Sequence, residues 1–227
     1  MQELYSQPGA AVRSQEVSKV LRNTYALLSM TLLTSAIAAG ASIALGVGHG
    51  MALVMDLIAI GLLWFVLPRT AQSSSGILVV FAFTTLLGAG LGPMLSHYLA
   101  FPGGSMIVMQ ALGATALVFF ALSGYVLTTG KDFSFMGGFL FVGLMVALIA
   151  GLGMMVAGFF GIAISGFFLA LNAMIVLLMS GFILYDTSRI IHGGETNYLM
   201  ATAALYLDIL NLFTALLHLI GAFSNDD

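Results

Sequence analysis

The stretch FMGGFLFVGLMVALIAGLGMMV, Phe135 to Val156, decides the fold: it is 22 residues without a charge or a proline. A helix of that length rises about 33 Å at 1.5 Å per residue, enough to cross the roughly 30 Å hydrocarbon core of a bilayer. Strands of a transmembrane barrel alternate in polarity over about ten residues and do not give such a run. Working outward, similar runs predict spans at Thr24 to Leu45, Met51 to Leu67, Ile77 to Leu99, Met106 to Thr128, Gly161 to Tyr185 and Leu199 to Phe223. Turn formers separate them, in GVGHG (46–50), PRTAQSSSG (68–76), FPGG (101–104) and HGGETN (192–197).

The whole chain agrees with its central run. Of 227 residues, 60% are hydrophobic and 7% charged, against roughly 25% charged in a soluble domain. The expected class is an all-α integral membrane protein, a seven-helix transmembrane bundle whose main partner is the lipid bilayer. A net charge of -3 gives no reason to expect nucleic acid. Cysteine is absent, which excludes disulfides and thiolate ligands. Residues 1–22 lack an apolar core and read as a short, polar, disordered tail, leaving 23–227 as the membrane domain.

Charge sets the expected orientation. With the tail inside, Arg13, Lys19, Arg22, Arg69, Lys131 and Arg189 all fall on inside segments, and the outside loops hold no lysine or arginine. The N-terminus is expected in the cytoplasm and Asn225 to Asp227 on the far side. The last span carries Asp208, Asn211 and His218, so a re-entrant segment is the competing topology.

Ionisable groups inside a span are costly, which makes them functional candidates. Ala204, Asp208, Asn211, Ala215 and His218 fall within an arc of about 80° on the last helix. On the sixth, Asn172, Ile175, Met179, Phe182 and Asp186 share a face. Two such stripes suggest a hydrated path lined by Asn172, Asn211 and His218. Asp186 and Asp208 are its expected gate, if an asymmetric turn or a tilt brings them level. At about 4 Å and an effective dielectric near 20, two carboxylates repel by about 4 kcal/mol, so the pair would hold one proton between them. Losing it would part the helices or admit a hard cation such as Ca²⁺, transported or bound on Asp186 and Asp208. Arg69 and Arg189, at inner span ends, are candidate charge partners that could snorkel towards an ionised Asp. HExxH, GxSxG and GxxxxGK[ST] are absent. A paired-aspartate intramembrane protease is the enzymatic alternative, but the contexts LYDTS and LYLDILN lack GxGD.

GILVVFAFTTLLGAGLGPML (76–95) and ALGATALVFF (111–120) resemble the signature of the Bax inhibitor-1 family. KVLRNTY (19–25), YVLTTGKDFSF (125–135) and IIHGGETNY (190–198) resemble its bacterial YccA branch, whose name-giving member modulates the FtsH protease. The resemblance implies an inner-membrane, non-enzymatic protein of seven spans with the last helix central. It also implies a pH-sensitive di-aspartyl pair at Asp186 and Asp208, and a Ca²⁺ leak in some members. Modulation of FtsH through the N-terminal tail is the alternative function, compatible with the first.

Overall fold

The computed structural model describes residues 8–161 and 165–224, and among them every regular element is helical. In chain order these are α1 (Pro8–Ala44), α2 (His49–Gly61), α3 (Leu67–Thr70), α4 (Ser75–Gly90), α5 (Gly92–Leu99), α6 (Gly104–Thr129), α7 (Gly137–Phe159), α8 (Ser165–Ile191) and α9 (Tyr198–Ser224). They form seven segments long and apolar enough to cross a membrane, within a few residues of the predicted spans.

Two spans are broken where the sequence alone reads one helix. A π-helical turn, Leu62–Val66, joins α2 to α3 just ahead of Pro68. A proline ring crowds the carbonyl four residues back and brings no N–H, and the wider turn takes up both defects. Leu91 separates α4 from α5, which restarts with Pro93 in its first turn, where a missing N–H is harmless.

The tail also differs from expectation. From Pro8 onward it is helix continuous with the first span. Its Ala, Arg, Gln, Glu and Lys are good helix formers, and extending an existing helix needs no new nucleus. Residues 1–7, and Asn225 to Asp227 at the other end, lie outside the described residues.

Helix α9 is the centre, packing on α8, α6, α1 and α4. Half of its most apolar stretch is buried, against 11% for the Ser134–Gly158 span, whose helix α7 docks mainly on α8. Unbroken from Tyr198 to Ser224, it is long and apolar enough to cross a membrane. Leu33, Trp64, Leu117, Phe139 and Ile149 point outward, more than half exposed or nearly three-quarters so. Such a surface belongs in hydrocarbon. Close approach of α1 and α4 depends on glycine: a Cβ on Gly88 would stand 2.5 Å from the Ser35 carbonyl oxygen. Lys19, Arg22, Arg69, Lys131 and Arg189 all lie at one end of the bundle, here termed the basic end.

Candidate functional site

Near the basic end, α8 and α9 bring Asp186 and Asp208 together, 8% and 6% exposed. The two carboxyl groups face each other across the contact of α8 with α9. A carboxylate only accepts, so a hydrogen bond between the two would require a proton on one of them. Oδ2 of Asp208 is buried without a hydrogen-bond partner. Asp186 is therefore a residue of the protein interior, near the basic end of α8.

The register comes from the turn. Asp186 lies five residues before the end of α8 and Asp208 ten after the start of α9, so a symmetric hairpin would leave them at different depths. The turn is asymmetric. Gly194 and Glu195 donate their N–H groups back to the Arg189 carbonyl at 2.8 and 3.1 Å. The chain then runs out to Asn197, whose Nδ2 donates to the Ala71 carbonyl at 2.7 Å. Its Oδ1 caps α9 by accepting from Leu199 and Met200 N–H at 2.9 and 3.2 Å. Starting α9 further out lets Asp208 descend to Asp186.

Arg189 serves as the charge partner. Its Nη1 is 3.8 Å from Asp186 Oδ1 and its Nη2 3.5 Å from Glu195 Oε2, with the guanidinium over the Tyr185 ring. Arg69 does not join them: it is exposed, donates to the Phe65 carbonyl at 3.0 Å, and has no ion pair among the described residues. Asn172 is buried far along α8, its amide spent on the Phe168 carbonyl at 2.8 Å. Asn211 is exposed and donates to Leu207 within its own helix at 2.8 Å. His218 Nδ1 lies 2.8 Å from the Tyr98 hydroxyl, with the Phe168 ring against the imidazole. The structure thus assembles Asp186, Asp208 and Arg189, and places Asn172, Asn211, His218 and Arg69 elsewhere.

Around this centre lie groups that the sequence pattern does not single out. The Tyr25 hydroxyl on α1 bonds Ser123 Oγ on α6, which is 3.3 Å from Thr187 Oγ1, the neighbour of Asp186. Beneath them Gly130, at φ +63°, ends α6 and turns the chain towards α8. In the loop that follows, Ser188 Oγ accepts from Phe133 N–H at 2.8 Å and donates to Asp132 Oδ1 at 3.2 Å. His192 Nε2 reaches the Gly130 carbonyl at 3.1 Å. Hydrogen bonds from Ser134, then Ser188, with the nearby His192, hold the Asp132 carboxyl below its usual range. The Lys131 ammonium is pushed up by its bond to the Tyr125 hydroxyl. The outward sign of this layer is its partial overlap with three motif segments: Tyr25 falls in 19–25, Tyr125 and the loop to Ser134 in 125–135, and His192 in 190–198, whereas Ser123, Thr187 and Ser188 fall in none.

As a cation site the pair is spare. Among the described residues no group of three or more His, Asp or Glu could hold a metal. Ca²⁺ takes six to eight oxygens, so it would need water or carbonyls beside the two carboxylates, and Arg189 would have to leave.

The profile of the family described as inhibitor of apoptosis-promoting Bax1 matches residues 17–225. A membrane protein of Vibrio cholerae is 50% identical over 99% of this chain and 98% of its own. The Escherichia coli protein named modulator of FtsH protease YccA is 49% identical over 92% of each chain. A Pseudomonas aeruginosa protein is 46% identical over the full length of both. A match over residues 17–225, a range that takes in nearly the whole of the seven spans, makes this chain a member of the Bax inhibitor-1 family.

Proposed function

We propose that the protein is a non-catalytic modulator of a membrane protease of the FtsH kind, seated in the inner membrane with its basic end in the cytoplasm. The observation that carries this reading is the 49% identity, over 92% of each chain, with a protein named for that role. The helix α1 suits it as a handle: it runs on past the first span and exposes Glu16, Lys19 and Arg22. The positive-inside rule puts that handle on the cytoplasmic side. In proteoliposomes holding the protease, the full chain is expected to slow degradation of a membrane substrate, and a chain lacking residues before Lys19 to lose that effect. An unchanged degradation rate with the full chain overturns the reading.

The buried contact of Asp186 with Asp208 favours a second, compatible reading. The pair is a proton-held gate for a Ca²⁺ leak, opened when the shared proton leaves and the two charges repel. Ca²⁺ is the cargo, and Arg189 steadies whichever carboxylate is ionised. Flux into dye-loaded liposomes, scanned between about pH 6 and 8, should depend on pH in the wild type and lose that dependence in Asp186→Asn and Asp208→Asn. No flux at any pH removes this reading and leaves the first intact.

A further inference from the structure

A cavity of about 510 Å³ lies apart from the carboxyl pair, between α1 and α6, with Ile209 and Phe213 of α9 as its floor. The two wall helices stand apart along it. Tyr25, which bonds Ser123 and packs on Phe119 at 6.0 Å between ring centres, lines its basic end, and Leu95 and Leu99 of α5 line the other. The α1 wall runs from Tyr25 to Ile43, about 27 Å of helix, close to the thickness of the hydrocarbon core. All its walls are membrane spans, and the mouth residues Leu112 and Phe120 are 54% and 70% exposed. The slot therefore opens sideways into lipid.

Water is a poor occupant. The hydroxyls in the walls are already committed: Ser35 and Tyr206 to the Thr84 carbonyl, Thr115 to Ala111, and Ser29 to Tyr25. A buried water needs two to four polar partners. Emptiness is unfavourable too, because the lining would forgo its dispersion contacts. Beyond Tyr25 the same face of α1 continues to Arg22, three positions before Tyr25 and seven before Ser29. Arg22 is exposed and has no ion pair among the described residues. An apolar slot that opens sideways into lipid, with Arg22 on the same face of α1 one turn beyond its basic end, fits an acyl chain of a lipid whose phosphate meets that cation.

We propose that this slot is a binding site for one anionic phospholipid of the leaflet at the basic end, with an acyl chain between α1 and α6 and its phosphate on Arg22. The lipid would help fix the α1 to α6 spacing that Tyr25 closes through Ser123.

The test uses the full chain reconstituted with phosphatidylglycerol and phosphatidylcholine, extracted in mild detergent and weighed by native mass spectrometry. The wild type should retain one phospholipid and prefer phosphatidylglycerol. Ala36→Trp, which fills the slot from α1, and Ala116→Phe, which fills it from α6, should lose the lipid. Arg22→Gln should keep a lipid while its preference falls about fivefold, the value of one basic residue near a headgroup. Phosphatidylglycerol carrying a photoreactive acyl chain should label wild-type α1, α6 and α9 in preference to α2 and α7. A wild type that sheds all lipid, slot-filling variants that retain it, or even labelling over α2 and α7 would overturn the site. A membrane protein captured at the slot in place of lipid would do so as well.

Discussion

The hydroxyl oxygens of Ser35 and Tyr206 lie 2.6 Å apart, and both lie within hydrogen-bond distance of the Thr84 carbonyl, at 2.6 and 2.8 Å. Two protons thus serve three contacts among α1, α4 and the central helix, where no water competes. Removing the Tyr206 hydroxyl leaves the ring in place, T-shaped against Phe83. Tyr206→Phe is expected to cost about 1 kcal/mol. Ser35→Ala should cost about as much, because in either variant the remaining hydroxyl still satisfies Thr84. Unfolding in detergent by heat or denaturant reads both, and a neutral Tyr206→Phe would show that the node contributes nothing net.

Asn197 couples two jobs, capping α9 and tying the turn to Ala71. Asn197→Ala should lose about 2 kcal/mol, half from the cap and half from the cross-bond. Asn197→Ser keeps a capping oxygen and should lose about half as much. Limited proteolysis within residues 192–197 should rise in the same order.

Glycine 88 has backbone on both sides of its contact with α1, and neither side can give way. Gly88→Leu is expected to destabilise by about 1 to 3 kcal/mol through overpacking. Gly124→Ala, where a Cβ meets nothing within 4 Å, should leave stability unchanged or slightly raised. Thermal unfolding of the two variants side by side separates close packing from mere glycine content; equal melting temperatures would refute the distinction.

The 130–134 loop should stay docked in mild acid. Asp132 is held below its ordinary value by Ser134 and Ser188, so the docking it supports is present above the unfolded-state value, about 3.9. That support is lost only as pH falls through the lower folded-state value. A carbon NMR titration of the Asp132 carboxyl should give a midpoint under about 3.9. Asp132→Asn should speed amide exchange at Phe133 and Ser134 already at neutral pH.

Much of this architecture was legible in the residues. Runs such as Phe135 to Val156 are unambiguous because hydrocarbon admits little else, and Asp186, Asp208 and Arg189 were legible because intramembrane charge is rare. Asn211 was misplaced for a physical reason. A stripe about 80° wide does not fix the rotation of a helix that is packed nearly all round, and an amide can satisfy itself on the carbonyl four residues back. The Ser123 and Thr187 hydroxyls gave no signal, since such groups are common in spans and usually bond their own helix, and Tyr25 stood only as the last residue of the 19–25 motif. The breaks at Pro68 and Pro93 were readable as prolines but not as a π turn and a fresh helix start.

The placement of α9 bears on how the protein is made. Helices leave the ribosome in chain order, and the one that fills the centre follows the other six spans. Until it arrives, the Thr84 carbonyl lacks Tyr206, Asp186 lacks Asp208, and the inner faces of α1, α4, α6 and α8 have only lipid or one another to touch. An interrupted chain is therefore hollow rather than merely short, and its unsatisfied interior is a mark that cellular quality control can read.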